Sequence, residues 1–426
     1  MIEANAVHLS SWIEVDQNSD FPIQNLPFGV FRKKKNIFSN HLATRIGDTV
    51  IDLYFIAKNG FFEGCGVDNI EIFNRASLND FIGLGQPVWR SIRKKLSELF
   101  RYNNPLLRDN YLLRSEILLS IEDVEMLLPI TICDLTDFNS SLEHAINIGK
   151  MYRDPANPLP PNWRHLPEGY HGRTSSIFIS GTNIHRPKGQ FKPGDSAFPL
   201  FGPSRRIDFE LEVAFISGYE SHAGIRIPIE KVEEKIFGMV LLNLLAARDF
   251  QTWEQIPLGP FLSKSFGGLM SPWIVTLDAL QPFRIVGPRQ EPEVLPYLQT
   301  KGAHNYDISL EAKLRVDSLD PLTLCKTNYK YVYWNICQQI AHQTINGARI
   351  SIGDVFASGT ICGQTPDSFG SMLELTWRGS KPIQLANGKS RKFLEDYDII
   401  TINGYAKRKD NRIGFGECIT QILPTL

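Results

Sequence analysis

The chain has 426 residues, more than a single hydrophobic core usually serves, so two domains are expected. Its 45 basic residues balance 46 acidic residues, which argues against nucleic acid or an anionic membrane surface as a partner. The amino terminus lacks a signal-peptide pattern, and the most apolar window, residues 237–247, is too short to cross a membrane, so we expect a cytoplasmic protein.

The first part of the chain predicts a small module of short strands and helices. A strand is predicted at Thr49–Phe55, and a helix at Val88–Phe100, where apolar residues recur at helical spacing with charged residues opposite them. A second helix is predicted at Ser120–Leu128, and it should end there because Pro129 disfavours its continuation. We therefore place a domain boundary there, with domains at 1–129 and 130–426.

Beyond Pro129 the sequence consists of short β-prone runs separated by Gly and Pro. This pattern is typical of a large, mostly β domain with few helices, so the predicted fold class is mostly β (α+β). The clearest helix is predicted at Tyr331–Thr344. The predicted strands are 176–180, 207–215, 239–242, 273–276 and 399–402.

The cysteines are scattered, with no C-x-x-C pair and no histidine at a zinc-ligand spacing. We expect all of them to be reduced thiols in the core. They are Cys65, Cys133, Cys325, Cys337, Cys362 and Cys418.

A row of acids alternates with apolar residues between Ile207 and Phe215. If this segment is one strand, its period of two places Asp208, Glu210 and Glu212 on one face. Three carboxylates on one face repel, so the face either meets water or surrounds a hard cation such as Mg²⁺ or Ca²⁺. The row alone favours the solvated face, because half-buried strands with polar outer faces are common.

Other polar residues with catalytic potential lie in segments far apart in the sequence. Taken singly, each is weak: a lone His144 is more often a hydrogen-bonding residue than a base, and Arg248 could form a structural ion pair with Asp249. The candidates are Asp137, His144, Glu210, Glu212, Arg248, Gln251, Lys264 and Glu374.

Taken together, these segments resemble the fumarylacetoacetase family. The resemblance runs in order through DFPIQNLPFG at 20–29, FIGLG at 81–85, YHGRTSS at 170–176, FGMVL at 237–241, ASGT at 357–360 and GFGE at 414–417. It implies an SH3-like N-terminal domain, a large mixed-β-roll C-terminal domain and a homodimer. The implied activity is hydrolysis of a carbon–carbon bond in a β-diketo acid, as in tyrosine and phenylalanine catabolism.

The resemblance also implies a division of roles. A divalent metal, Mg²⁺ or Ca²⁺, would hold the enolate that forms as the bond breaks, with Asp137, Glu210 and Glu212 as its ligands. His144, oriented by Glu374, would be the base that activates water. Oxyanion stabilisation is implied for Arg248, Gln251 and Lys264, and substrate binding for Arg153, Tyr170, Gln251 and Thr360.

The chain departs from the family pattern at one implied metal ligand, which is Leu244 here and has no lone pair to offer. Two substrate-contacting tyrosines of the family are replaced by Asn139 and Gln255, and a threonine is replaced by Gly268. Three carboxylates still overcompensate a divalent charge, so we expect a weaker metal site that water completes.

Three functions remain open from the sequence. The first is a fumarylacetoacetase-like hydrolase. The second is a sister enzyme that performs decarboxylation, hydration or another carbon–carbon step on a different carbonyl substrate. The third is a non-catalytic dimer that keeps the fold. Metal dependence and the importance of His144 distinguish them.

Overall fold

The computed structural model describes residues 2–426, and within them no helix is long and apolar enough to cross a membrane. The amino-terminal region is built on a five-stranded antiparallel sheet in the order β4-β3-β2-β1-β5. Its strands are β1 (Gly29–Lys33), β2 (Asn36–Ile46), β3 (Thr49–Asp52), β4 (Leu118–Ser120) and β5 (Val124–Leu127). Its helices are α1 (Leu53–Lys58), α2 (Asn79–Ile82), α3 (Gln86–Phe100), α4 (Pro105–Arg108) and α5 (Tyr111–Ile117).

The structure confirms one predicted helix of this region and corrects two other elements. Helix α3 ends at Phe100, as predicted. The strand predicted at 49–55 stops at Asp52, because the Asp52 carboxylate accepts the backbone N–H groups of Tyr54 and Phe55 and so caps α1. The helix predicted at 120–128 is wrong: β5 pairs there with β1, and sheet pairing overrides the local preference.

The carboxyl-terminal region contains an eight-stranded mixed sheet, in the order β7-β6-β22-β13-β14-β16-β8 with β17 beside β14, and a six-stranded sheet built on β21-β20-β25-β27-β9 with β26 beside β25. Its helices are α6 (Leu142–Tyr152), α7 (Arg248–Glu254), α8 (Leu277–Leu280), α9 (Ile336–Thr344) and α10 (Met372–Leu375). Its strands are β6 (Leu135–Phe138), β7 (Gly169–His171), β8 (Ile177–Ile179), β9 (Ile184–His185), β10 (Lys188–Phe191), β11 (Leu200–Pro203), β12 (Ile207–Asp208), β13 (Leu211–Ser217), β14 (Ile236–Leu244), β15 (Ala246–Ala247), β16 (Gly268–Met270), β17 (Val275–Thr276), β18 (Arg284–Ile285), β19 (Asn305–Tyr306), β20 (Ile308–Arg315), β21 (Leu322–Asn328), β22 (Val355–Ala357), β23 (Ile383–Gln384), β24 (Ser390–Arg391), β25 (Ile399–Arg408), β26 (Asn411–Gly414) and β27 (Cys418–Leu423).

Strands β13 and β14 are buried along their whole length because apolar layers cover both faces of their sheet. On one face, Phe215 and Leu241 belong to the core that includes Leu310 and Ile402 of the six-stranded sheet. On the other face, Val240 and Leu242 pack in one cluster with the helices of the amino-terminal region. The sheet therefore forms a rigid central layer from which polar side chains can be positioned.

The row of acids at 207–215 is not one strand. Asp208 ends β12, which pairs with β15, whereas Glu212 lies in β13, and the chain is irregular between them. The solvated face that the row alone favoured is also wrong, because Asp208, Glu210 and Glu212 are all buried.

Three further expectations need correction. Helix α9 begins at Ile336 rather than Tyr331, because Asn335 and Gln338 form a capping box at its start. All six cysteines are free thiols, but Cys133 is exposed, so only the other five are core residues. In the predicted strand 273–276, only Val275 and Thr276 lie in a strand, whereas the other predicted carboxyl-terminal runs contain observed strands.

Candidate active site and metal centre

A pocket of about 330 Å³ opens where the ends of several strands meet helices α6 and α7. It collects residues from segments that are more than 200 positions apart in the chain. Most of the site residues predicted from the sequence line it, and Glu212 and Glu374 lie buried outside its lining. The predicted residues that line it are Asp137, His144, Arg153, Tyr170, Glu210, Arg248, Gln251, Lys264 and Thr360.

His144 lies in the first turn of α6, where the hydroxyl of Ser141 caps the helix by accepting the His144 backbone N–H. Its ring nitrogen Nδ1 is 2.7 Å from Oε2 of Glu374, which lies in the short helix α10. Since Nδ1 faces a carboxylate, it is the protonated nitrogen, and Nε2 carries the free lone pair. The pair has the geometry of an oriented general base.

Glu374 is fully satisfied although it is buried. Asn147 donates to Oε1 at 2.9 Å, and Ser371 donates to Oε2 at 2.9 Å. Burial alone would raise the pKa of Glu374, but the adjacent His144 and the hydrogen bonds from His144, Asn147 and Cys362 lower it. Glu374 is therefore ionised and holds the ring of His144 in one orientation.

A second group of acids, which we call the carboxylate trio, consists of Asp137, Glu210 and Glu212. One carboxylate oxygen from each lies within 4.8 Å of the others, and all three side chains are buried. Burial and the neighbouring Asp137 raise the pKa of Glu212 well above its usual range. Within residues 2–426, neither oxygen of Glu212 nor Oδ1 of Asp137 has a hydrogen-bond partner at good geometry, although the backbone N–H of Gly359 is near enough to Glu212 to oppose part of the rise in its pKa.

Two cations approach the trio from the pocket side. Arg248 donates through Nη2 to Glu210 at 2.8 Å and through Nε to Asp208 at 2.8 Å. The ammonium of Lys264 contacts Glu210 and lies 3.7 Å from Asp137. Burial lowers the pKa of Lys264, although Asp137 and Asp208 oppose the shift. Glu210 is thus neutralised, whereas Glu212 receives neither cation.

Asp208 is not a member of the trio. Besides Arg248, it accepts the backbone N–H groups of Met372 at 2.6 Å and Leu373 at 3.1 Å. It therefore fixes α10 to the site. Asp249 instead accepts from Ser204 and from the backbone of Arg205, so the alternative ion pair between Arg248 and Asp249 is wrong.

The carboxylate trio fits a divalent cation. Hard cations prefer carboxylate oxygens, and buried acceptors without donors are costly unless something positive meets them. The unpartnered oxygens of Glu212 and Asp137 are such acceptors. The residues present can therefore hold Mg²⁺ or Ca²⁺ with water as an additional ligand.

Leu244, which stands where the family pattern has a metal ligand, is an apolar core residue at the end of β14. It is buried, and its cluster includes Leu242, Met270 and Ile177. A Cβ atom added at Gly268, its cross-strand partner, would lie 2.8 Å from Leu244 Cδ2. Leu244 thus fills space that a larger residue at 268 would need, and the two departures from the pattern are sterically linked.

The remaining pocket residues provide hydrogen-bond donors. Burial and Asp137 raise the pKa of Tyr170 well above its usual range, so its phenol stays neutral. Gln251 accepts from Arg248 at 2.9 Å, and Arg153 donates to the backbone of Pro158. Thr360 also lines the pocket.

Several contributors to the site were missed from the sequence, namely Asn147, Glu168, Cys362 and Ser371. Two of them left a readable signal. Ser371 precedes Glu374 by three residues, the spacing of a helix cap, and Asn147 follows His144 by three residues, which places both on one helix face. Cys362 and Glu168 left none, because only the folded chain brings them to the site.

Comparison with known proteins identifies the family of the chain. The sequence of residues 24–129 matches the protein-family model for the fumarylacetoacetase N-terminal region. The sequence of residues 135–423 matches the protein-family model for the fumarylacetoacetate hydrolase C-terminal region. A fumarylacetoacetase from Homo sapiens is 48% identical over 417 residues, which cover 98% of this chain and 99% of that protein. The chain belongs to the fumarylacetoacetase family.

Other members of the fumarylacetoacetase family are similar over the same length. The fumarylacetoacetase of Arabidopsis thaliana is 47% identical over 98% of this chain and 99% of that protein. Two solved structures share the fold. A fumarylacetoacetate hydrolase from Exiguobacterium antarcticum has a TM-score of 0.50 and 16% identity, and the match covers 94% of this chain and 99% of that one. A maleylpyruvate hydrolase from Sphingobium has a TM-score of 0.50 and 14% identity, and the match covers 94% of this chain and 100% of that one. Enzymes of the fumarylacetoacetase family bind a divalent metal, for which the carboxylate trio supplies candidate ligands.

Proposed function

We propose that this protein is a hydrolase that cleaves fumarylacetoacetate with water into fumarate and acetoacetate. The observation that carries the proposal is that an oriented His144–Glu374 pair and a buried carboxylate trio meet at one pocket. This hydrolysis requires a base that activates water and positive charge that stabilises the departing enolate, and a divalent cation held by the trio would supply the second. The full-length relatives named fumarylacetoacetase support the choice of substrate.

The proton begins on the attacking water. Nε2 of His144 takes this proton while the water oxygen forms a bond to the substrate's carbonyl carbon. Glu374 stabilises the resulting imidazolium through Nδ1, as the 2.7 Å contact allows. When the carbon–carbon bond breaks, its electron pair leaves with the acetoacetate fragment, and the proton held on Nε2 of His144 passes to that carbon, which returns His144 to its neutral form. The new carboxyl group of fumarate releases its remaining proton to water.

The negative charge on the former carbonyl oxygen needs donors that are already in place. Arg248 and Lys264 are positive and line the pocket, and Gln251 is held by Arg248 at 2.9 Å. Because these groups are fixed before the reaction, they stabilise the oxyanion without reorganising. A divalent cation bound by Asp137, Glu210 and Glu212 would supply further positive charge for the substrate oxygens.

On the substrate side, we assign Arg153, Tyr170, Gln251 and Thr360 to binding of carboxylate and keto oxygens. All four line the pocket, and each offers a side-chain donor. Their roles follow from position and chemistry.

The test is direct hydrolysis. Purified protein with Mg²⁺ or Ca²⁺ is mixed with fumarylacetoacetate, the diketo absorbance is followed, and the products are identified by NMR. The expected result is loss of absorbance with equal amounts of fumarate and acetoacetate. An intact substrate after incubation with either cation would contradict the proposal.

A second candidate is a family-type cleavage of a different diketo acid. One observation favours it: the pocket wall contains an amide and an acid, Asn139 and Glu168, which interact at 3.4 Å. Burial raises the pKa of Glu168, although Asn139 and Arg153 oppose the shift. This wall suits a substrate end that offers a hydrogen-bond donor. Faster turnover of such an analogue than of fumarylacetoacetate, lost in E168Q, supports this candidate.

We further propose a homodimer, a cytoplasmic location and Mg²⁺ or Ca²⁺ as the metal. The all-oxygen ligand set supports the last point, and the first two follow from the family resemblance. Light scattering during size-exclusion chromatography tests the homodimer, cell fractionation tests the location, and elemental analysis tests the metal.

A further inference from the structure

We propose that Cys362 is a positioning residue whose thiol donates a hydrogen bond to Glu374 and thereby holds that carboxylate against His144. The inference rests on the proposed function, because it takes His144 as the base. It assigns a task to a buried thiol that the hydrolytic steps above do not use.

The contacts of the thiol converge on the carboxylate. Sγ of Cys362 lies 3.1 Å from Oε2 and 3.3 Å from Oε1 of Glu374, and 3.8 Å from Nδ1 of His144. Oε2 is the same oxygen that His144 contacts at 2.7 Å. Both Cys362 and Glu374 are buried, so water does not screen this contact.

The direction of the hydrogen bond follows from a third contact. The backbone N–H of Gly370 donates to Sγ at 3.2 Å, so the sulfur is an acceptor on that side. Its own proton is then free to point at the carboxylate. Burial and the charge of Glu374 raise the pKa of Cys362, which keeps the proton on the sulfur.

The backbone of Cys362 reaches the other partner of the pair. Its N–H donates to the hydroxyl of Ser141 at 3.3 Å, and that hydroxyl also accepts the backbone N–H of His144 at 3.4 Å. The hydroxyl proton of Ser141 in turn is directed to the Cys362 carbonyl at 3.3 Å. One residue therefore ties the cap of the helix that bears His144 to the carboxylate that orients its ring.

A thiol is a weak donor, and this weakness has a consequence. A carboxylate with weaker donors keeps more of its charge for the imidazolium, whereas a stronger donor reduces its hold on the imidazolium. Removing the donor and strengthening it should thus move the pH dependence in opposite directions. The other titratable groups around the pair and across the pocket, which stay constant in the test, are Asp137, Glu143, Tyr152, Arg153, Glu168, Tyr170, Glu210, Arg248 and Lys264.

The experiment compares C362A and C362S with wild type and with C418A. Cys418 is a matched control, because it is equally buried but donates to the backbone carbonyl of Leu269. For C362A we expect kcat to fall about tenfold, which is the loss of one hydrogen bond's stabilisation, while KM stays within about twofold. For C362S we expect kcat within about threefold of wild type.

The pH profile separates positioning from packing. In C362A the midpoint of the acidic limb of kcat/KM should rise by roughly half a pH unit, and in C362S it should fall. C418A should keep the midpoint of wild type. The inference is overturned if both Cys362 variants share the wild-type midpoint, or if C362S loses as much kcat as C362A.

Failure of the proposed function can be told apart from failure of this inference. If the wild type does not hydrolyse fumarylacetoacetate, NMR titration of the His144 ring still compares the three variants. A higher midpoint in C362A than in wild type and C418A supports the inference without any turnover. Equal midpoints overturn it, whether or not the enzyme is active.

Discussion

The two halves of the pocket differ in how well the protein satisfies its own charges. Around Glu374, three side-chain donors and the His144 ring meet one carboxylate, so every charge has a partner. Around Glu212, by contrast, a buried carboxyl group has two oxygens without a hydrogen-bond partner at good geometry within residues 2–426. The first half is satisfied by protein groups alone, whereas the second half offers candidate ligands for a cation.

Because of this difference, we expect the buried groups of the two halves to serve different purposes, orientation in one and cation binding in the other. A satisfied buried group serves orientation, and its loss disturbs the chemistry directly. An unsatisfied buried acid costs stability until a partner binds, so its loss disturbs binding more than folding. Neutralising a buried acid should therefore impair the chemistry in the half around Glu374, whereas in the half around Glu212 it should weaken cation binding and spare or raise the stability of the metal-free protein.

The largest effect is expected on the satisfied side. Replacing His144 by alanine removes the base, and kcat for fumarylacetoacetate should fall about 10³-fold. H165A is the matched control, since His165 is an exposed residue outside the pocket lining. Stopped-flow loss of the diketo absorbance measures both. An H144A enzyme within tenfold of wild type would show that the pair does not perform the chemistry.

Removal of divalent ions by chelation tests the half of the pocket around Glu212. Removal of divalent ions with EDTA should lower activity at least about tenfold, and Mg²⁺ or Ca²⁺ should restore it. A cation at a hundredfold excess over its Kd should also stabilise the fold by about 2.7 kcal/mol. In E212Q this stabilisation should be largely lost, while the metal-free protein unfolds at the same or a higher temperature. Calorimetry with and without the cation distinguishes E212Q from wild type.

Leu244 offers a way to change the balance of the unsatisfied side. L244D places an acid in the apolar surroundings of this side chain, so the metal-free protein should lose about 2–4 kcal/mol of stability. Added Mg²⁺ or Ca²⁺ should restore part of this loss if the new acid reaches the cation. L241D is the control, because Leu241 belongs to the core on the opposite face of the same strand. Equal responses of both variants to the cation would contradict the placement.

The smallest effect concerns a satisfied acid outside the pocket, Glu233. Burial opposes its ionisation, but hydrogen bonds and charges from His304 and Arg284 outweigh burial and lower the pKa of Glu233 to about 2. Because the folded pKa lies below the unfolded value of 4.5, the stabilisation is present above pH 4.5 and is lost as pH falls towards 2. E233Q should cost about 1–2 kcal/mol at neutral pH, after allowance for solvent screening, and should flatten the decline in stability at acid pH. Urea unfolding at several pH values measures this slope. A slope identical to wild type would mean that this acid is not coupled to folding.

The sequence predicted which residues meet at the pocket better than it predicted how they are paired. The resemblance to a known family pointed to the pocket residues, and it could be recognised because the short motifs that carry it, such as those around His144 and Lys264, are local. The helix α3 was predictable for the same reason, since its apolar stripe repeats within fifteen residues.

Pairing depended on contacts that no local pattern contains. The break between β12 and β13 separates Asp208 from Glu212, so the three alternating acids are paired differently: Asp208 and Glu210 both accept from Arg248, whereas Glu212 does not. Which acid meets Arg248 and which stays unpaired is decided by strand register and by the approach of α10. The thiol of Cys362 illustrates the same limit, because its contacts span 218 and 12 residues of chain.

Crystallography with Mn²⁺ tests the central claim most directly. Mn²⁺ accepts the same oxygen ligands as Mg²⁺ and Ca²⁺ and can be located by its anomalous scattering. The account predicts one strong peak among Asp137, Glu210 and Glu212, on the pocket side that faces His144. A fully exchanged crystal with no peak there, or with its peak at another group of residues, would contradict it.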